Sequence, residues 1–325
     1  MILNTIEQTN RFETDAEISR EFSRASPVGV AVSVVIPFYR GVEWLCEAVE
    51  SVLRQTLPVQ EIIVVNDGSP EDVSGFLRKY GSSIVYREKA NGGPAAARNT
   101  GIEIAVGDYV AFLDSDDLWM PDKNEKQLSA MERCGASWSH TGYELFDTES
   151  AAYETVRTVS IGDFDGKLFP RMMYSNPLAT PSVMVRASLL REDRDLRFGE
   201  GMRYGQDQYL WMRLALGRPI LAIDEPLVKV RMRGKNASLR ARAQIKAKAL
   251  LYERLSSFAP DRSAELSSSA RFGFRWCAVG EGLLDRFDSG HTARDNVIEW
   301  MSRFFYVVPW LLFKFNAYCS RRKTL

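Results

Sequence analysis

The feature that most constrains the fold of this chain is an alternation of short apolar runs with amphipathic segments over residues 30–113. Three apolar runs have the length of strands: Val30–Pro37, Glu61–Val65 and Tyr109–Leu113. Trp44–Gln55, between the first two, has its apolar side chains at helical spacing. Strands that alternate with helices predict a doubly wound, mostly parallel sheet of Rossmann-like type. Ligands bind beyond the carboxyl ends of such strands, so we expect a site where the apolar runs end.

Further segments extend this α/β pattern toward the C-terminus. Predicted helices are Asp72–Tyr80, Ala95–Ala105 and Asp207–Leu216, and predicted strands are Ser83–Arg87, Ala136–Tyr143, Ala179–Val185 and Ile220–Arg231. Residues 240–288 have a helical pattern. We therefore expect a flexible leader at 1–28, an α/β domain at 29–239 and a helical C-terminal extension at 240–325.

Composition excludes several classes of site. The four cysteines are far apart and form no C-x-x-C pair, which argues against structural zinc and a disulfide scaffold and favours a reducing, cytoplasmic compartment. The two histidines, His140 and His291, are widely separated, so a His-based metal site or catalytic triad is not expected. With 42 basic and 42 acidic residues the formal charge is zero, and we expect no nucleic-acid partner.

Three acids follow the apolar run that ends at Leu113. Asp114, Asp116 and Asp117 fall within four positions, and such a concentration of charge is costly unless a cation or hydrogen-bond donors offset it. Oxygen ligands of this kind suit Mg²⁺ or Mn²⁺. A calcium loop of the EF-hand type is excluded, because its required glycine position is occupied by Trp119. A solvated acidic turn that caps the next helix is the alternative.

Other polar residues follow the predicted strands or begin the predicted helices. Pro37 and Tyr39 end the first strand, where a ring can hold a flat base or simply pack in the core. Asp67 follows the second strand, where it accepts from a base N–H or forms an Asx turn. Arg98 lies one helical turn past the loop Asn91–Pro94, and its guanidinium can bind a diphosphate. Asp207 begins a helix, either as a general base or as an acid favoured by the helix dipole.

Five segments carry a family resemblance: SVVIPFYR at 33–40, IIVVNDGSPEDV at 62–73, NGGPAAARNTG at 91–101, GDYVAFLDSDDLWMPDK at 107–123 and YGQDQYLWMRLA at 204–215. In this order they resemble the family 2 glycosyltransferases, which have the GT-A fold. The resemblance implies an inverting, metal-dependent enzyme that uses a nucleotide-activated sugar.

The resemblance also implies a role for each matched residue. Asp67 would contact the base and Arg98 the nucleotide, with Pro37 and Tyr39 beside them. Asp114 would face the ribose and Asp116 would bind Mg²⁺ or Mn²⁺. Asp117 and Trp119 would shape the loop, and a contact to the transferred sugar is the alternative role of Asp117. Asp207 would be the general base.

Three further segments relate to the acceptor side and the diphosphate. Gln206 stands where the family usually has Glu, which removes one negative charge beside the expected base. Ala179–Ser182 would line the acceptor side. Arg231 or Arg233 would supply the basic residue that the family's post-catalytic loop often places near the diphosphate.

The C-terminal extension contains the apolar run FFYVVPWLLF at 304–313, between Arg303 and Lys314. It is too short to span a bilayer. Residues 240–325 hold 15 Lys or Arg against 8 Asp or Glu, so the segment 303–323 suits the interface of an anionic membrane. The alternative is that it packs on the core of the protein or on a dimer partner.

We therefore expect an inverting glycosyltransferase that moves a sugar from a nucleotide-sugar, with UDP favoured, to a saccharide or lipid-linked acceptor in cell-surface polysaccharide or glycolipid synthesis. It would be cytoplasmic, at the inner face of the cell membrane, and could oligomerise. Two alternatives stay open. One is a non-catalytic module that binds nucleotide-sugars. The other is a nucleotidyltransferase, although Phe38–Gly41 is a poor match to the glycine-rich basic loop expected there.

Overall fold

The computed structural model describes residues 29–147, 154–233, 241–287 and 292–322; the leader predicted at 1–28 lies outside them. The strands are β1 (Val32–Phe38), β2 (Glu61–Asn66), β3 (Val85–Glu88), β4 (Tyr109–Phe112), β5 (Leu118–Trp119), β6 (Trp138–Asp147), β7 (Thr155–Val159), β8 (Met184–Arg186) and β9 (Leu221–Met232). The helices of the α/β part are α1 (Val42–Leu53), α2 (Ser74–Tyr80), α3 (Gly93–Ile104), α4 (Lys123–Cys134), α5 (Arg171–Tyr174), α6 (Ala187–Glu192) and α7 (Gln206–Gly217). The C-terminal helices are α8 (Ala241–Phe258), α9 (Pro260–Ala264), α10 (Ser268–Phe287) and α11 (Thr292–Arg322).

These strands form one sheet in the order β3-β2-β1-β4-β8-β6-β9-β5, with β7 added beside β6. The first four positions are parallel, as the alternation of strands and helices predicts. Beyond β4 the sheet is mixed, because β8 pairs antiparallel with both β4 and β6 while β6 and β9 are parallel. The mixed α/β class is confirmed, and the parallel part brings the ends of β1, β2 and β4 to one rim.

Apolar side chains cover both faces of the sheet. Along β1, Val34 and Ile36 belong to the cluster that packs against α1 and α4, whereas Val35 belongs to the cluster on the opposite face. This alternation follows from the two-residue period of a strand. It explains why buried strands of this sheet have near-continuous apolar runs rather than alternating ones.

The C-terminal helices share the second of these cores. Ile245 of α8, Phe274 of α10 and Phe313 of α11 pack in the same cluster as Val35 and Trp211. The predicted helical stretch 240–288 is broken between α8 and α10, where Pro260 begins the short helix α9. The predicted boundary at residue 239 therefore does not separate two independent cores. The division into an α/β domain and a helical extension stays a prediction.

One predicted strand is largely wrong. Residues 179–185 were expected to be extended, but Thr180–Ser182 form a 3₁₀ turn and β8 begins only at Met184. Pro181 explains the difference, because proline lacks the N–H that a strand ladder needs and fits the first turn of a helix. The turn is fixed by the Trp119 indole, whose Nε1 donates to the Pro181 carbonyl at 2.9 Å.

Candidate active site

Asp67 directly follows β2, and its carboxylate is buried against the loop before α3. Oδ1 accepts hydrogen bonds from the Lys89 ammonium at 3.0 Å and from the Gly92 amide at 2.9 Å. Oδ2 accepts one from the Gly93 amide at 2.7 Å. A carboxylate offers about four lone-pair positions, so one position remains for a ligand N–H. The base contact stays a prediction, and the observed role of Asp67 is to hold this loop.

Pro37 and Tyr39 lie at the end of β1, next to Asp67. Pro37 is buried within the strand. Tyr39 lies just past it and is 42% exposed. The Asp67 amide donates to the Phe38 carbonyl at 2.8 Å, which joins the two strand ends. An exposed ring and a buried carboxylate therefore follow neighbouring strands at one rim of the sheet.

Arg98 and Asp114 form an ion pair at the end of β4. Arg98 lies on α3, is 6% exposed, and donates from Nη2 to Oδ1 of Asp114. Its guanidinium carbon is 5.2 Å from the centroid of the Phe198 ring. Its Nε has no hydrogen-bond partner in the described part of the chain. Because arginine is always charged, this pair places a fixed positive charge beside the first of the three acids.

The other two acids are more deeply buried. Oδ1 of Asp117 accepts a hydrogen bond from the Arg231 amide at 2.8 Å, and Oδ2 of Asp116 pairs with Nη2 of Arg233. Burial raises the pKa of both carboxyls above the ordinary value, and the charges of the neighbouring acids add to the shift. The loop therefore concentrates negative charge in a way that favours a nearby cation or a bound proton.

Two arginines at the end of β9 contact this loop in different ways. Arg231 is 2% exposed, and its side chain donates to the Asp116 carbonyl at 2.7 Å and to the Glu47 carboxylate at 2.6 Å. Arg231 thus fixes the loop to α1. The Arg233 side chain is 53% exposed and contacts the Asp116 carboxylate itself. Of the two arginines expected near a diphosphate, Arg233 is the one that remains accessible.

Asp207 lies in the first turn of α7, and the start of this helix depends on a glycine. Gly205 precedes the helix with φ of 74°, in the left-handed region, and a Cβ there would come within 3.0 Å of the Ala247 Cβ on α8. Burial raises the pKa of the Asp207 carboxyl, although the Gln208 amide and Arg98 act in the opposite direction. A carboxylate with a raised pKa accepts a proton more readily, which suits a general base.

A cavity of about 700 Å³ brings part of the predicted site together. Asp114, Asp117 and Asp207 line it, and Arg98 is joined to it through Asp114. Three of the four residues expected on the acceptor side, Ala179–Pro181, also line it. The rim that carries Tyr39 and Asp67 lies outside the lining of this cavity.

The sequence motifs did not identify a second part of the cavity wall. It comes from α5, α8 and α11, and includes Tyr174, Lys248, Tyr306, Trp310, Phe313 and Lys314. Three of these residues lie in the apolar run 304–313, whose composition indicates a surface or a core contact but not a ligand site. Lys248 lies in a helix rich in alanine, and the sequence contains no signal that would single it out.

Within the described ranges, no group of three or more His, Cys, Asp or Glu side chains is arranged to hold a metal ion. Mg²⁺ bound together with substrate phosphates is usually held by only one or two carboxylates.

Comparison with known proteins agrees with this geometry. Residues 33–192 match the model of glycosyl transferase family 2. An uncharacterised glycosyltransferase of Rickettsia bellii is 41% identical over 209 residues, which cover 64% of this chain and 29% of the relative. The Escherichia coli UDP-Glc:α-D-GlcNAc-diphosphoundecaprenol β-1,3-glucosyltransferase is 28% identical over 196 residues, covering 59% of this chain and 73% of the enzyme.

Among solved structures, TarS residues 1–349 of S. aureus in complex with UDP-GlcNAc align with a TM-score of 0.57 at 18% identity, over 86% of this chain and 89% of that one. The chain spans only 29% to 33% of the length of the three Rickettsia relatives that share 41% to 43% identity with it. The family match covers the rim, the acidic loop and α6, and it ends before α7. Residues 33–192 thus carry a glycosyltransferase family 2 domain, and the chain has the GT-A fold.

Proposed function

We propose that this chain is an inverting glycosyltransferase that moves a sugar from a nucleotide-sugar donor, favoured as a UDP-sugar, to a hydroxyl of a saccharide or lipid-linked acceptor. The observation that carries the proposal is the cavity that Asp114 and Asp207 line together, with Arg98 behind Asp114. Family membership supports the reaction class. The name of the E. coli relative supports cell-surface polysaccharide or glycolipid synthesis as the setting.

Arg98 is suited to the donor diphosphate. A buried donor without a partner is destabilising, and the Nε of Arg98 is in that condition in the described structure. A phosphate oxygen that accepted from this atom would satisfy it. The fixed positive charge of the guanidinium would also stabilise the negative charge that develops on the diphosphate as it leaves.

The acidic loop fits a divalent cation such as Mg²⁺ or Mn²⁺. Its donor atoms are carboxylate oxygens, which these ions prefer. The guanidinium of Arg233 already pairs with Oδ2 of Asp116, so this oxygen is accessible to a cation. Asp116 would hold the ion once the exposed Arg233 side chain moves aside. When bound, the ion would neutralise charge on the leaving diphosphate.

Asp207 would act as the general base. It would take the proton of the acceptor hydroxyl while the hydroxyl oxygen forms a bond to the anomeric carbon of the donor sugar. The bond from that carbon to the donor phosphate oxygen breaks, and its electron pair leaves with the nucleoside diphosphate. Attack from the side opposite to the leaving group inverts the anomeric centre. Gln206 leaves this chemistry intact, because the proton acceptor is the carboxylate of Asp207.

The test is nucleoside diphosphate release from a panel of UDP-, GDP- and dTDP-sugars with Mn²⁺, with and without a saccharide acceptor. Asp207→Asn should lower kcat at least about 100-fold, the lower limit of general base catalysis, while donor binding measured by thermal shift persists. Asp163→Asn, an exposed acid outside the cavity, is the matched control. Undiminished transfer by Asp207→Asn would contradict the assignment of Asp207 as the general base. Donor binding without transfer or donor hydrolysis would instead indicate the non-catalytic module.

The surface of α11 supports peripheral membrane association. Its most exposed apolar side chains form a set that is more than half accessible: Trp300, Phe304, Val307, Leu311 and Phe315. No helix in the described part of the chain is both long and apolar enough to cross a bilayer. Aromatic residues near cations such as Arg303 and Lys314 suit an anionic membrane interface. We propose that the enzyme works at the inner, cytoplasmic face of the cell membrane.

Vesicle flotation tests this placement. The protein should float with vesicles that contain phosphatidylglycerol and much less with phosphatidylcholine alone. Phe304→Glu should weaken flotation, whereas Val106→Glu, a similarly exposed apolar site outside α11, should not. Equal flotation by the wild type and Phe304→Glu would overturn this placement.

A further inference from the structure

The cavity that contains Asp114 and Asp207 extends to the C-terminal helices, beyond the segment that matches the family model. Its wall there is formed by Lys248 of α8 and by Trp310 and Lys314 of α11. The volume of about 700 Å³ is within the roughly 300–1,000 Å³ range of small-molecule sites. None of the residues in this part of the wall belongs to the rim or to the acidic loop, which form the predicted donor site.

Lys248 is an unusual residue to find in this wall. It is 3% exposed, and its ammonium donates to the Met173 carbonyl at 2.5 Å. Burial lowers its pKa to about 8. No carboxylate of the described residues forms an ion pair with it. A buried cation is destabilising unless it is paired and hydrogen-bonded, and an anionic group inside the cavity would supply the missing partner.

Aromatic rings form another part of this wall. The ring of Phe313 is buried, with its centroid 4.6 Å from that of Phe274 and 6.5 Å from that of Tyr174. The Lys248 ammonium lies 5.6 Å from the Phe313 centroid. Trp310 is 46% exposed and also lines the cavity. Flat rings with a few convergent polar groups are typical of sites that orient a ring-shaped ligand.

We propose that α8 and α11 form the acceptor subsite, and that it takes a saccharide bearing an anionic group, a uronate carboxylate or a phosphate, which pairs with Lys248 while a sugar ring packs on Trp310. This proposal rests on the proposed function, since it assigns the acceptor of the same cavity. It also explains a difference in charge along the cavity, because Asp114 and Asp117 lie in the acidic loop while the cations Lys248 and Lys314 lie on the C-terminal helices.

Binding of small probes tests the subsite without requiring turnover. Saturation-transfer NMR with the full chain would compare methyl β-D-glucuronide, glucose 6-phosphate and the neutral methyl β-D-glucoside. At least one charged probe should bind about tenfold more tightly than the neutral one, and the two charged probes distinguish a carboxylate from a phosphate. Lys248→Met should remove this preference. Lys246→Met, on the same helix but ion-paired with Asp285 at 2.8 Å and outside the cavity lining, should keep it.

A second variant separates the subsite from effects on folding. Trp310→Ala changes a half-exposed side chain and should weaken all three probes while the thermal unfolding midpoint stays within a few degrees of wild type. Equal affinity for charged and neutral probes, or a preference that survives in Lys248→Met, would overturn the proposal. Sugar transfer without these probe effects would refute the acceptor subsite and leave the proposed transferase function standing. Lys248-dependent probe binding without any sugar transfer would refute the transferase function and leave the anion-binding site standing.

Discussion

Gly205→Ala tests whether the start of α7 positions Asp207. Gly205 has φ of 74°, and an L-residue in the left-handed region costs roughly 1–2 kcal/mol. The added Cβ would also lie 3.0 Å from the Ala247 Cβ, and overpacking of this kind costs about 1–3 kcal/mol. The two terms together predict that the free energy of unfolding falls by about 2–5 kcal/mol.

The matched control is Gly135→Ala. Gly135 ends α4 with φ of 62°, and a Cβ there would meet no atom within 4 Å. This variant should show only the backbone term of roughly 1–2 kcal/mol and normal kcat. Gly205→Ala should lose about tenfold or more in kcat as well, because a misplacement of about 1 Å can cost about 100-fold in rate.

Urea denaturation would give the two stabilities, and nucleoside diphosphate release would give the two rates under conditions in which both variants are folded. If Gly205→Ala were no less stable than Gly135→Ala, the contact with Ala247 would not constrain the helix. If its kcat were normal, the position of Asp207 would not depend on this glycine.

Three further predictions follow from burial. Asp117→Asn keeps the Oδ1 acceptor for the Arg231 amide. Burial raises the pKa of Asp117 in the folded state, so folding of the wild type becomes less favourable as the pH rises above the carboxyl pKa of the unfolded chain. The variant should therefore be more stable than wild type at pH 7, and this difference, seen in urea titrations, should shrink toward pH 4. The raised pKa of Asp207 predicts that kcat falls with decreasing pH at a midpoint above the ordinary carboxyl range; a pH–rate profile flat to pH 4 would contradict its role as the base. Phe313→Ala should cost about 3–5 kcal/mol in thermal or urea unfolding, and a loss below 1 kcal/mol would mean that α11 is not held to the core by this ring.

The sequence predicts the rim of the sheet well, because that part of the site is local. Asp67 directly follows β2 and Asp114 lies two residues past the end of β4, so the strand pattern and the parallel order are enough to place them on one rim. The family resemblance adds Asp207, which no spacing rule connects to the acids. The structure then places Asp207 on the same cavity as Asp114.

The parts that the sequence does not predict depend on contacts between distant segments. The helical pattern of α8 places Lys248 on a buried face but does not show that a cavity opens beside it. Arg231 and Arg233 are two residues apart, yet one fixes the acidic loop to α1 and the other pairs with Asp116. The two-residue period of a strand would direct both side chains to the same face, but β9 ends at Met232. Arg233 therefore lies outside the strand, where its side chain takes a different, exposed position.

The short strand β5 sets a lower limit on the length of an active fragment. Leu118 and Trp119 pair with Lys229 and Val228 of β9, and the Met120 amide donates to the Leu227 carbonyl at 3.0 Å. A fragment that ended at residue 192, where the family match ends, would leave β6 without β9 along its length and expose an unpaired edge that favours aggregation. The acidic loop would also lose its anchor. Truncation studies should therefore retain the chain at least through Arg233.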